Sequence, residues 1–237
     1  MQQRRSPGRS RSITQWAAGC TLVLILGSES APQAGTATNG SARFLAAREE
    51  PLLQYRAYRR MHAESEHFGQ EAWVEAWTEL DQRGFHYTVV SETGSDYVRN
   101  KVLKAILQRE QELMADGECH RSELTADNYE FEETPGLGGE RYVLLKPKRK
   151  DMLLVDGRMV LNHDGSELLR VEGRLSKNPS FWTSLVNIIR RYARVDGVRV
   201  PIATESTAKV RFAGLSRLDV HYEYETINGR PVRFAAK

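Results

Sequence analysis

The chain has 237 residues, of which 40% are hydrophobic, 8% aromatic and 27% charged, enough apolar material for one sizeable core. Mean hydropathy is −0.54, and no run approaches the ~20 apolar residues of a spanning helix, so a polytopic membrane protein, a coiled coil and a wholly disordered chain are all excluded. The net charge of +3 belongs to the first 30 residues; beyond them acidic and basic residues balance, and nothing calls for a nucleic-acid partner.

At the N-terminus Arg4, Arg5, Arg9 and Arg11 precede an apolar stretch over residues 16–26, and Ser28-Glu29-Ser30 follows. A positive segment, a short apolar segment and small residues in this order read as a secretory signal peptide over residues 1–30. Export to the periplasm is expected, with an uncleaved inner-membrane signal anchor as the alternative. Ser6-Pro7-Gly8 is a poor continuation of a twin-arginine signal. Cys20 lies before Leu22–Leu26 rather than after the apolar run, which places it inside the signal and not at an acylation site. Cys119 is then the only cysteine of the mature chain, so an intramolecular disulfide is excluded.

Residues 31–50 are mostly small and polar and read as a flexible leader to a single domain over residues 51–230. Pro51 suits the start of a helix, and Leu52, Leu53, Tyr55, Tyr58 and Met61 follow at helical spacing, which predicts a short helix ending near His62. Residues 71–80 and 85–92 predict a β-hairpin around Asp81-Gln82-Arg83-Gly84, with Leu80 facing Phe85, Ala76 facing Val89 and Val74 facing Ser91. Its buried face collects Val74, Ala76, Leu80, Phe85, Tyr87 and Val89; its other face carries Trp73, Glu75, Trp77, Glu79 and His86. Trp73, Trp77 and Leu80 also fit a helical stripe, and spacing alone leaves both readings open. A helix capped by Ser95 or Asp96 then runs to Ala115 with the stripe Val98, Val102, Leu103, Ile106 and Leu113, and Asp116-Gly117 stops it.

From Asn128 the pattern is strand-like. Segments 142–145, 152–155, 159–161, 168–175, 181–195, 198–204, 209–212 and 218–224 predict strands, with Asp156-Gly157, Asp164-Gly165 and Asp196-Gly197 as tight turns. Val198, Val200, Ile202 and Thr204 alternate with polar or small neighbours, and Leu218, Val220, Tyr222 and Tyr224 with charged ones, as on a sheet with one covered face. About ten strands and two helices predict an α+β, mainly antiparallel fold: a curved meander forming an open half-barrel with a helical lid.

No constellation for catalysis stands out. There is no nucleophile elbow, Gly136-Leu137-Gly138-Gly139 fits no phosphate-binding loop, and Glu132 and Glu133 point to opposite faces of a strand. His62 and His67, with Glu64 and Glu66 between them, lack the spacing of a helical metal motif and read as a solvated polar turn. The basic run from Lys146 to Lys150 reads as a hairpin end that can touch a membrane surface peripherally. The expectation is therefore a protein with no enzymatic activity, no metal and no cofactor.

The segments Leu153-Leu154-Val155-Asp156-Gly157, Leu169-Arg170-Val171-Glu172-Gly173-Arg174-Leu175-Ser176-Lys177 and Pro179-Ser180-Phe181-Trp182 resemble those of LolA/LolB-like outer-membrane lipoprotein-sorting proteins. The resemblance covers about residues 52–224. It implies an open antiparallel half-barrel whose apolar concave side takes up acyl chains. Val74, Leu80, Phe85, Tyr87 and Val89 would line that cavity, with residues 52–62 and 95–115 as lid and Phe181 and Trp182 as an apolar rim. An acyl chain in water costs ~0.8 kcal/mol per exposed CH₂, which a dry groove removes. The family's carriers also use an arginine to hold the lid, but Arg199, Arg211 and Arg217 fall on the polar phase of their strands. The implied function is a lipid or lipoprotein carrier; the alternative is an envelope sensing or interaction module that binds a protein partner on the same fold.

Overall fold

A computed structural model describes Phe44 and residues 50–66, 69–181, 183–211 and 214–232. The segments expected to be a signal peptide and, apart from Phe44 and Glu50, a leader therefore lie outside the described residues. Among the described residues eleven strands form one antiparallel sheet: β1 (Tyr55–Ser65), β2 (Gln70–Asp81), β3 (Gly84–Gly94), β4 (Tyr129–Thr134), β5 (Arg141–Pro147), β6 (Val155–Leu161), β7 (Leu168–Leu175), β8 (Thr183–Val195), β9 (Val198–Val210), β10 (Gly214–Ile227) and the short β11 (Arg230–Pro231). Their spatial order is β3-β2-β1-β10-β9-β8-β7-β6-β5-β4, with β11 beside β10. β3 and β4 are the two edges and do not pair, so the sheet is an open curved half-barrel, as the alternation predicts.

Register builds the buried face. Val143, Met159, Val171, Arg190, Thr204, Val220, Met61 and Val74 stand opposite one another from β5 across to β2, and all are buried. The row is apolar except at Arg190 and Thr204.

One helix, α1, accounts for residues 96–115: an α turn (Asp96–Val98), a π-helical segment (Arg99–Leu103) and a regular α-helix (Lys104–Ala115). Ser95 caps it by accepting from the Val98 amide, and Gly117, at φ 67°, takes the left-handed conformation that ends helices. A 3₁₀ turn (Glu118–Ser122) continues to β4. This crossover leaves the sheet at edge strand β3 and re-enters at edge strand β4, spanning the concave side. The lid follows from that connectivity.

Three expectations are corrected. The helix predicted before His62 is strand β1, whose buried residues Tyr55, Ala57, Arg59, Met61 and Ala63 alternate. Arg59 on the inward phase hides that period from a hydrophobicity count, and the lid therefore consists of one helix. Second, Asp156-Gly157 is not a turn but lies inside β6, opposite Gly173. A Cβ on Gly157 would stand 2.1 Å from the Glu172 carbonyl oxygen, so glycine there permits a close strand approach. Third, the predicted strands 198–204 and 209–212 are one strand, β9. A bulge between Arg191 and Tyr192 displaces Ile202, which is partly exposed rather than covered. The strand reading of the 71–92 hairpin is the observed one. Leu80 pairs with Phe85 and Ala76 with Val89, but Val90 is an extra residue that moves Val74 opposite Glu92.

Candidate functional site

The underside of α1 packs Val98, Leu103, Ile106 and Leu107 into the main core. The helix runs back along β3, and Gln111 near its end donates to the Phe85 carbonyl at 3.1 Å. Among these apolar side chains sits Glu110, only 1% exposed. Its carboxylate accepts from Arg59 Nη1 at 2.6 Å and Nη2 at 2.9 Å, and Nη2 also donates to Tyr55 Oη at 2.8 Å. The Arg59 guanidinium lies 4.8 Å from the Tyr222 ring centre and 5.3 Å from that of Phe85. Arg190, also buried, donates from Nε to Thr204 Oγ1 at 3.3 Å; burial opposes its charge, and Tyr192, Tyr222 and, more weakly, the Glu110 carboxylate favour it.

Burial opposes the charge on Arg59, but the Glu110 carboxylate together with Tyr55 and Tyr222 outweighs it and lifts the guanidinium well above its ordinary value. Burial likewise pushes the Tyr55, Tyr222 and Tyr224 hydroxyls up. The interior therefore holds one carboxylate on the lid facing two guanidiniums on the sheet, ringed by tyrosines. The sequence gives no sign of such a cluster: Arg59, Glu110 and Arg190 come from three distant segments, each reading locally as a polar position. Arg199, assigned by alternation to the polar phase, is also buried, with its guanidinium 4.3 Å from the Phe44 ring centre.

The expected cavity residues divide. Val74 and Phe85 are buried in the core; Leu80, Tyr87 and Val89 are half-buried and packed against it. All five share the face that α1 approaches. Phe181 does not join them. It is 82% exposed, precedes β8, and lies at the end of the sheet opposite the Leu80–Phe85 turn. Trp182 is outside the described residues.

No family model and no curated protein matches the chain. Among solved structures it is similar to a DUF1329 family protein from Desulfovibrio piger. The TM-score is 0.34 and the identity 11%, over 73% of this chain and 84% of that one. At that level neither fold nor function transfers.

The far end of the crossover is clamped. The Asp151 carboxylate, nearly enclosed, accepts from Arg121 Nη2 at 2.8 Å and from the Leu153 amide at 3.1 Å, while Arg149 donates to Asn128 Oδ1 at 2.6 Å. Part of the basic run around Lys146 thus ties the crossover to the sheet. Cys119 is half-buried with its thiol pushed up by burial, as expected of an unreactive side chain.

Proposed function

We propose that the protein is an exported, non-catalytic carrier that buries the acyl chains of a lipid or lipoprotein between the concave sheet face and α1. The observation that carries this reading is the fully buried Arg59–Glu110 pair, which joins lid to sheet inside the more exposed ion pairs of Glu92 with Arg99 and Lys104. Enclosed ion pairs contribute little net stability against apolar replacements of the same shape. They do fix one arrangement of two surfaces, and separation lets both charges regain water. That suits a contact that must close in one register and reopen.

The energies allow exchange. Lifting α1 exposes Val98, Leu103, Ile106 and Leu107, at a cost on the order of 8 kcal/mol, and burying about ten methylenes of an acyl chain contributes a similar amount. Val74, Ala76, Leu103 and Leu107 have no solvent contact with the lid down, so loading requires α1 to move. The same closure is what favours the second reading, an envelope module whose interior stays filled and whose partner is a protein.

Native mass spectrometry with lipid extraction, on protein purified without detergent, separates the two. A stoichiometric acylated species supports the carrier and names its cargo. A clean apo mass, with no uptake of an added fluorescent fatty acid, overturns it in favour of partner binding.

A further inference from the structure

On the convex face, opposite the one that α1 covers, the end of the β1–β2 hairpin gathers a second polar group. His62 and Glu64 are two apart on β1 and share a face. Glu71 stands opposite Glu64 in the register, and Trp73 opposite His62. The Trp73 ring stacks on the imidazole with centroids 4.5 Å apart. His62 Nε2 is buried without a hydrogen-bond partner and faces Glu71 Oε2 at 3.8 Å. The other ring nitrogen, Nδ1, faces Asp219 Oδ2 on β10 at 3.9 Å. Among the described residues, His62, Glu64 and Glu71 alone form a group of three that offers one ligand atom each within 4.8 Å of one another.

We propose that His62 Nε2 and the carboxylates of Glu64 and Glu71 bind a divalent transition metal of the zinc class. Asp219 is the carboxylate partner of the second ring nitrogen. One nitrogen and two carboxylate oxygens are a zinc-type donor set, and a carboxylate behind the ligating imidazole sets its tautomer and orientation. Ligand atoms around one zinc ion stand about 3.3 Å apart. Closing from 4.8 Å requires the two glutamates to rotate and Arg217 to release Glu64, and the glutamate side chains are 34% and 55% exposed. Trp73 fixes the imidazole.

Arg217 competes, donating to Glu64 Oε1 at 3.0 Å. Its other terminal nitrogen lies 3.5 Å from Glu66 Oε1, so it has a second carboxylate to move to when a cation arrives. The site also adjoins the start of the lid, because the Glu71 carbonyl accepts from the Ser95 amide at 2.8 Å. The proposal stands independently of acyl-chain binding.

The test is calorimetric titration of the full, chelator-stripped protein with zinc chloride at pH 7.5. One saturable event per chain is expected. His62→Gln and Glu71→Gln should each weaken it about tenfold or more, while Arg217→Gln should tighten it severalfold by removing the competing cation. His221→Asn, on β10 outside the group, should leave it unchanged. Glu71→Gln alters a half-exposed side chain and decides the matter if His62→Gln fails to fold. Absence of one-to-one binding, or equal affinity in Glu71→Gln and the unaltered protein, overturns the proposal.

Discussion

At the residue scale the pivotal pair is Arg59 and Glu110. Removing one partner strands the other charge in the core, so Glu110→Ala or Arg59→Ala is expected to cost roughly 3–5 kcal/mol of unfolding free energy in urea titrations. Replacing both, as in Arg59→Met with Glu110→Leu, should recover most of that loss. A double variant as unstable as the worse single one would show that the pair itself, not its desolvation, stabilises the fold. Asp151 gives a pH prediction. Burial raises its carboxyl pKa, but hydrogen bonds from Arg121 and the Leu153 amide and the nearby charges of Arg121 and Arg149 outweigh that and lower it. The resulting stability is present above the unfolded pKa of about 3.9 and lost as pH falls through the lower folded value. Urea midpoints from pH 5 to pH 2 should therefore fall less steeply in Asp151→Asn than in the unaltered protein. Val74 and Phe85 were legible as buried because apolar side chains declare themselves. Arg59, Glu110 and Arg190 were not, because a buried charge is recognisable only through its partner, and each partner lies in a distant segment.

At the element scale, alternation found the 71–92 hairpin and the inward face of β10, where each apolar residue has a charged neighbour. It failed in β1, where an inward arginine and two alanines blur the period. It failed again at Gly157, because a glycine needed for close strand approach has the same letter as one needed in a turn. Gly157→Ala should cost about 1–3 kcal/mol through the clash with the Glu172 carbonyl, read as a lowered melting temperature. A cost near zero would mean β6 and β7 can separate locally. The start of α1 depends on Ser95, whose hydroxyl accepts from the Val98 amide at 3.5 Å and also meets Gln70 Oε1 at 3.2 Å. Ser95→Ala should cost about 1 kcal/mol, and amide exchange should show the loss in α1 rather than in the strands.

At the scale of the whole molecule, the open half-barrel was legible because short turns between successive strand patterns force a meander. The path of the lid was not. That α1 crosses from edge strand β3 to edge strand β4 depends on sheet order, which no local pattern encodes. This crossing gives the helix both its anchors, Gly94-Ser95 at one end and the Asp151–Arg121–Arg149 clamp at the other, with the Arg59–Glu110 pair between them. A helix held at its ends and latched in the middle can lift without the sheet unfolding.

Hydrogen–deuterium exchange with and without a saturating long-chain fatty acid tests that directly. A lid over an acyl-binding face predicts that residues 96–115 exchange faster than β1, β2 and β10 in the free protein, and that the fatty acid changes their protection while leaving the strands as they were. Exchange of α1 at the same rate as the sheet, unaltered by fatty acid, would make the helix a fixed part of the core and contradict the carrier.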